Sequence, residues 1–208
     1  MKKVILFLSM VLSGSAAQWK MHTIDNTSRG ADGVRLMDIN KDGLSDIATG
    51  WEEGGVVRFY LHPGFKKVKQ PWPHTEVGKV KSPEDAVFTD LDGDGDFDVV
   101  SCCEGSTRTV YFHWSPENDL KNKLIPWRTK PVSITAGKQS WMIALPLQID
   151  GGCIDLVLGS KGAEASIGWL QSPKDPRDIK AWKYHFWYKA GWIMSLIRRD
   201  IDNDGDLD

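Results

Sequence analysis

The sequence predicts an all-β protein built from repeated four-stranded sheets, because three features recur along its 208 residues with one period. An acidic motif has four copies, which begin at Asp38, Asp90, Gln148 and Asp200. A tryptophan precedes each copy by 18 to 21 residues, at Trp19, Trp72, Trp127 and Trp182. Short β-rich apolar runs flank the motifs, and no long stretch has a helical period. Four short strands per repeat are typical of a blade of a β-propeller.

The strands of one repeat can be placed in order. The first strand ends at the acidic motif, at 33–37 and 86–89, and the second follows it, at 47–49 and 99–101. The third strand stands before a proline, at 56–61, 109–114 and 167–170. The segment that carries the repeating tryptophan supplies the fourth strand. The acidic motif is therefore expected to form the loop between the first two strands of each blade.

Residues 1–17 predict a signal peptide, with Lys2 and Lys3 at its start, an apolar run over 4–12 and small residues at 15–17. The apolar run is shorter than the roughly 20 residues that span a bilayer, and a buried N-terminal strand is the alternative. We therefore expect an exported protein, periplasmic or extracellular, without a membrane span.

Residues 18–208 are expected to form the propeller, in repeats of 19–71, 72–126, 127–181 and an incomplete 182–208. Three repeats and the start of a fourth are fewer than the four to eight blades of a closed ring. We therefore expect a partial ring, truncated from a longer protein, with closure by oligomerisation as the alternative. The formal charge of −2, without a basic patch, argues against a nucleic-acid partner.

The acidic motif predicts a calcium site, because alternating carboxylates in one tight loop repel each other unless a cation lies among them. Calcium takes six to eight oxygen ligands, which the first, third, fifth and ninth side chains and the seventh carbonyl can supply. The first loop offers Asp38, Asn40, Asp42, Leu44 and Asp46. The second offers Asp90, Asp92, Asp94, Asp96 and Asp98. The last offers Asp200, Asp202, Asp204 and Asp208.

Three details refine this prediction. Glycine at the sixth position permits a positive φ in the turn. An EF-hand is disfavoured, because its twelfth position requires glutamate and this chain has Thr49 and Ser101 there. The third loop has Gln148 in first position and lacks one residue, so Asp150 and Asp155 alone should hold calcium poorly.

The pattern D-x-D-x-D-G-x-x-D between two strands resembles the FG-GAP/VCBS repeats, which include the propeller of integrin α-subunits and many exported bacterial proteins. The resemblance extends over 19–208 and implies a propeller, usually with seven blades. It also implies calcium between the first two strands of a blade, held by Asp38, Asn40, Asp42 and Asp46 and by Asp90, Asp92, Asp94 and Asp98.

Function is predicted at the face of the propeller opposite the acidic loops. Turns after the second strands place there Trp51, Glu52, Glu53, Glu104, Lys161 and Glu164. Entries to the first strands add Asp32, Glu84, Asp85, Trp141 and Trp192. The candidate ligand-binding residues among them are Trp51, Glu84, Asp85, Trp141 and Trp192, although blade packing is the alternative role for each tryptophan.

Three function classes remain open from the sequence. A binding module would take a glycan or a protein ligand, because tryptophan stacks on sugar rings and carboxylates accept hydroxyl hydrogen bonds. A polysaccharide lyase or glycosidase would use paired carboxylates such as Glu84 and Asp85, but neighbours in a strand point to opposite faces. A structural scaffold is the third class. No catalytic residue can be assigned, and binding is the favoured function.

Overall fold

The computed structural model describes residues 19–116 and 126–205. The predicted signal peptide and the last predicted ligand, Asp208, lie outside the described residues. Within these residues, twelve strands form three antiparallel sheets of four strands each. This architecture confirms the prediction of an all-β protein made of propeller blades. Within 19–116 and 126–205, no helix combines the length and the apolar character that crossing a bilayer requires.

Each sheet is a meander of consecutive strands. The first blade contains β1 (Ala31–Met37), β2 (Asp46–Trp51), β3 (Val56–Tyr60) and β4 (His74–Lys79). The second contains β5 (Pro83–Thr89), β6 (Asp98–Cys103), β7 (Val110–Trp114) and β8 (Arg128–Pro131). The third contains β9 (Ser140–Leu147), β10 (Asp155–Lys161), β11 (Ser166–Gln171) and β12 (Lys183–Lys189). As predicted, the acidic loops join the first and second strands of the blades.

The sheets and the sequence repeats are out of phase by one strand. Each repeat opens with a tryptophan, and from the second repeat onward the strand that follows is the fourth strand of the preceding blade, as β4 follows Trp72 and β12 follows Trp182. Both indoles are buried and donate their Nε1–H to a carbonyl of the preceding turn, Val68 and Pro176 respectively. Trp72 and Trp182 therefore anchor the turns that lead into the outermost strands β4 and β12.

Aromatic side chains join neighbouring blades. Phe59 of β3 packs edge-on against Phe88 of β5, with ring centroids 6.1 Å apart. Phe112 of β7 packs in the same manner against Trp182, which belongs to the third blade, at 4.9 Å. These contacts bury the faces between the first and second sheets and between the second and third sheets. This packing fixes how the loops of neighbouring blades lie relative to one another on each face of the arc.

Inner strands of neighbouring blades approach so closely that only glycine fits at two positions. A Cβ atom on Gly50 of β2 would lie 2.4 Å from the carbonyl oxygen of Pro83. A Cβ atom on Gly33 of β1 would lie 2.3 Å from the carbonyl oxygen of Glu84, and its φ is +55°. Side chains at the start of β5 are therefore held directly beside the turn that follows β2.

Candidate metal loops and channel mouth

The three acidic loops that carry the complete start of the motif share one backbone conformation. Their sixth-position glycines adopt φ values of +83°, +93° and +97° at Gly43, Gly95 and Gly205. Each of these glycines donates its N–H to the first-position carboxylate, in the pairs Gly43–Asp38, Gly95–Asp90 and Gly205–Asp200, at 2.8, 3.1 and 3.1 Å. The predicted turn is therefore present in the same form in all three loops.

This turn gathers carboxylate oxygens around one point. In the second loop, one oxygen from each of Asp90, Asp92 and Asp94 lies within 4.8 Å of the others. Asp200, Asp202 and Asp204 form an equivalent group in the last loop. Oxygen donors at this spacing suit a hard cation such as calcium, which binds carboxylate oxygens at roughly 2.3–2.6 Å. The donor set therefore fits the ion that the motif predicts.

The first loop differs in its third position. Asn40 accepts the N–H of Asp42 through Oδ1 at 3.1 Å and donates Nδ2–H to the Asp42 carboxylate at 3.1 Å. The seventh residues of the first two loops, Leu44 and Asp96, donate their N–H to the fifth-position carboxylates of Asp42 and Asp94, both at 2.9 Å. These contacts hold the fifth side chain inside the loop.

The last aspartate of the motif, which is the ninth residue in the first two loops and the eighth in the shorter third loop, has a role that the motif did not predict. Its buried carboxylate joins the N–H of the second loop residue to an N–H just after the third strand. The three pairs of donors are Ile39 and His62 for Asp46, Leu91 and Ser115 for Asp98, and Ile149 and Ser172 for Asp155. Their N···O distances run from 2.7 to 3.3 Å. We call this arrangement the aspartate clamp.

The aspartate clamp persists where the metal motif does not. The third loop lacks the first-position aspartate but retains Asp155, which is fully buried. The retention of this residue in a degraded motif was the sequence signal for a structural role. In the second blade, burial and the nearby charge of Asp92 raise the pKa of Asp98 to about 7, against the effect of its backbone hydrogen bonds.

A basic residue from another blade enters the second acidic loop. Arg177 lies in the connection between β11 and β12, and its Nε–H donates to the carboxylate of Asp92. Its Nη2 lies 3.6 Å from Asp94 Oδ2, and its guanidinium lies over the Trp114 ring at 4.8 Å from the centroid. Sequence reasoning missed this residue, because 85 positions separate Arg177 from Asp92.

On the opposite face, the residues that strand order placed together do meet. Oxygens of Asp32, Glu52 and Glu84 lie within 4.8 Å of one another. Glu84 also shares a hydrogen bond with Glu104, and Lys161 Nζ lies 3.4 Å from Glu84 Oε1 and contacts Glu104. We call this group the acidic mouth. A cleft of about 200 Å³ beside it is lined by Asp32, Arg35, Glu84, Asp85, Met142 and Met194.

The two hydrogen-bonded carboxyls of the acidic mouth differ in protonation. Burial, together with the hydrogen bond and negative charge of Glu104, raises the pKa of Glu84 to about 8. Burial also tends to raise the pKa of Glu104, but the hydrogen bonds from Glu84 and Lys161 outweigh this effect and lower the pKa. The contacts therefore push the two pKa values apart, with the higher one on Glu84 and the lower one on Glu104, which lies beside Lys161.

The predicted ligand-binding tryptophans fall into two groups. Trp192 is 62% exposed, and Lys161 Nζ lies 5.3 Å from its ring centroid. Trp51 and Trp141 are only 6% and 1% exposed, and their indole N–H groups donate to Tyr60 Oη and to the Thr135 carbonyl. Their rings pack within the blades and offer no free face for a sugar ring. Trp192 is the indole of the three that borders the acidic mouth.

Asp85 is occupied by structural contacts. Its two oxygens accept Nε–H and Nη2–H from Arg35 of β1, at 2.8 and 3.1 Å, and the N–H of Ala144 in β9 at 3.2 Å. The side chain is buried at the centre of the arc. A single carboxylate therefore joins the innermost strands of all three blades. Its neighbour Glu84 points to the acidic mouth instead, in agreement with strand alternation.

The raised pKa of Glu84 leads to a pH prediction. A carboxyl whose pKa rises on folding stabilises the protein fully below its unfolded value, near 4.5, and that contribution is lost as pH rises to about 8. Between these two pH values the free energy of unfolding should therefore fall less in Glu84→Gln than in the unmodified protein, and the difference should be about 1 kcal/mol or more. Urea unfolding in chelator at pH 5 and at pH 8 measures this change in the free energy of unfolding. Glu53→Gln changes an exposed side chain and is the matched control. If the free energy of unfolding depended on pH equally in both variants, the raised pKa of Glu84 would be contradicted.

Comparison with known families supports the resemblance of the acidic loops. Residues 38–101 match the model of the FG-GAP-like repeat. No curated protein and no solved structure matches the chain. The matched stretch begins at the first residue of the first acidic loop, includes the second loop and ends within β6. Residues 38–101 therefore carry an FG-GAP-like repeat.

Proposed function

We propose that this protein is an exported, calcium-binding interaction module of the β-propeller type, whose ligand docks at the acidic mouth. The observation that carries the calcium proposal is the convergence of Asp90, Asp92 and Asp94 on a turn that Gly95 closes. The same turn recurs at Asp38 and Asp200. Loops of this kind would hold calcium through carboxylate oxygens, with the seventh-position carbonyl as a further ligand.

The role of calcium in this proposal is to neutralise repulsion within each loop. The ninth-position aspartates, Asp46 and Asp98, use their oxygens as backbone acceptors and retain lone pairs for an ion. A bound ion would then connect the acidic loop, through the aspartate clamp, to the end of the third strand. Calcium would thereby stabilise the blade as well as the loop.

Calcium is expected to raise the melting temperature of protein that has been stripped with chelator, because an ion bound only by the folded state stabilises it by mass action. Calorimetric titration should show binding at the loops that start at Asp38 and Asp90, and at a third loop if the Asp200 loop closes. Asp92→Asn should remove one site, whereas Asp150→Asn in the third loop should leave the stoichiometry unchanged. A melting temperature that is independent of calcium, with no heat of binding, would overturn the proposal.

The acidic mouth suits a polyhydroxylated ligand. Trp192 presents an exposed ring beside Lys161, and Asp32, Glu52 and Glu104 supply carboxylate oxygens at the same opening. Stacking on an aromatic ring together with hydrogen bonds to carboxylates is the chemistry that recognises a sugar. A basic side chain of a protein ligand would use the same carboxylates and is the alternative occupant.

Trp192→Ala is expected to reduce retention on immobilised glycans at least tenfold, because the variant removes the stacking surface and leaves the blades unchanged. Trp187→Ala, on an exposed indole of β12, is the matched control. Binding to basic peptides but not to glycans would indicate the protein ligand. Release of shorter saccharides, lost in Glu84→Gln, would indicate a polysaccharide-active enzyme instead, and retention that is insensitive to Trp192 would contradict this site.

A further inference from the structure

The second acidic loop already contains a positive charge that belongs to the protein. The guanidinium of Arg177 contacts Asp92 through Nε–H and approaches Asp94 Oδ2 to 3.6 Å through Nη2. These two aspartates occupy the third and fifth positions of the motif. Their carboxylates are the oxygens that a calcium ion in this loop would need. Arg177 and calcium would therefore use the same ligand atoms.

Arg177 is positioned by its surroundings rather than by the acidic loop alone. Its guanidinium lies over the ring of Trp114, a side chain that is almost completely buried in the second blade. The preceding residue, Pro176, accepts the Nε1–H of Trp182 at 2.9 Å, and the Arg177 N–H donates to Asp175 Oδ1 at 3.0 Å. The backbone and the side chain are thus both fixed, so the cation is presented to the loop in a prepared position.

We propose that Arg177 acts as a resident cation of the second acidic loop and that calcium must displace it, so that Arg177 sets the calcium affinity of this loop. The inference rests on the proposed calcium function. In the absence of calcium, Arg177 offsets the repulsion among Asp90, Asp92 and Asp94. When calcium binds, two positive charges enter the space beside the guanidinium, and Asp92 is withdrawn from its ion pair. Calcium binding in the second blade is thereby coupled to the β11–β12 connection of the third blade.

Arg177→Gln is expected to strengthen calcium binding by the second loop about tenfold or more, since the competing charge-assisted hydrogen bond is removed. The measurement is calorimetric titration with calcium in a full-length Asp38→Asn/Asp200→Asn background, which leaves the second loop as the remaining complete site. Arg177→Lys should give an intermediate affinity, because its point charge cannot form the same fork of hydrogen bonds. Arg128→Gln, an exposed arginine of β8, removes the same charge elsewhere and should change nothing.

The two proposals fail in different ways. If the unmodified protein binds calcium and Arg177→Gln leaves the affinity of the second loop unchanged or weaker, the resident-cation role is overturned and the calcium function stands. If the unmodified protein binds no calcium, both proposals are overturned. The melting temperature gives a second readout. Arg177→Gln should lower the melting temperature in chelator, and saturating calcium should restore it to the value of the unmodified protein. Equal destabilisation with and without calcium would also contradict displacement.

Discussion

Replacing Asp85 with alanine is expected to lower the free energy of unfolding by about 3–5 kcal/mol, the range for breaking a buried ion pair by removing one partner. The variant leaves the guanidinium of Arg35 and the N–H of Ala144 without their acceptor inside the arc. It also removes a carboxylate that joins the innermost strands β1, β5 and β9. Urea unfolding in chelator, followed by tryptophan fluorescence, measures the loss without a contribution from bound metal.

Two further variants make this prediction specific. Arg35→Ala should also lower the free energy of unfolding. The double variant should lose less stability than the sum of the two single variants, because each single change leaves the other charged group without its partner. Glu76→Ala, on an exposed pair with Lys79 in β4, is the control and should change stability by less than about 1 kcal/mol. Additive effects of Asp85→Ala and Arg35→Ala would show that the pair does not act as a unit.

Replacing Asp155 with alanine is expected to cost about 3 kcal/mol, with the same loss in calcium and in chelator. Three donors lose their acceptor, namely the N–H of Ile149 and both the N–H and the hydroxyl of Ser172, at about 1 kcal/mol each. The third loop lacks the alternating carboxylates of the other loops, so the effect isolates the aspartate clamp from any bound ion. Thermal and urea unfolding with and without calcium provide the measurement.

The comparison with Asp98 separates the clamp from the metal. Asp98→Ala removes both the clamp of the second blade and a proposed calcium ligand, so its loss of stability should be larger in calcium than in chelator. Asp150→Ala, an exposed residue of the third loop, should have little effect in either condition. A calcium-dependent loss for Asp155→Ala, or a negligible one, would contradict the clamp as a structural device.

The blade order was predictable from sequence because its determinants are local. The apolar runs, the prolines and the repeating tryptophans all act within one repeat, so the strands and the position of the acidic loops could be assigned. The meeting of Asp32, Glu52 and Glu84 was also predictable, since strand direction alone sorts turns and entries onto faces. The close backbone contact at Gly50 and the contacts of Asp85 with two other blades could not be predicted, because both depend on the distance between neighbouring blades.

Residues with two compatible roles were the hardest to assign from sequence. Trp51 and Trp141 have the side chain that a sugar site requires, but burial between sheets cannot be distinguished from exposure by residue type. The ninth-position aspartate fits a metal motif and a backbone clamp equally well in a single repeat. Arg177 has no local pattern at all, because its partners come from a loop of another blade.

The one-strand offset between repeats and sheets means that each blade is closed by a strand of the following repeat. β4 seals the edge of the first sheet, yet it is encoded after Trp72, together with the strands of the second sheet. The edge of β3 therefore stays unpaired until the segment after Trp72 has paired with it. Each new segment protects the blade made before it and leaves its own last blade open. Completion of each blade thus depends on the repeat that follows it.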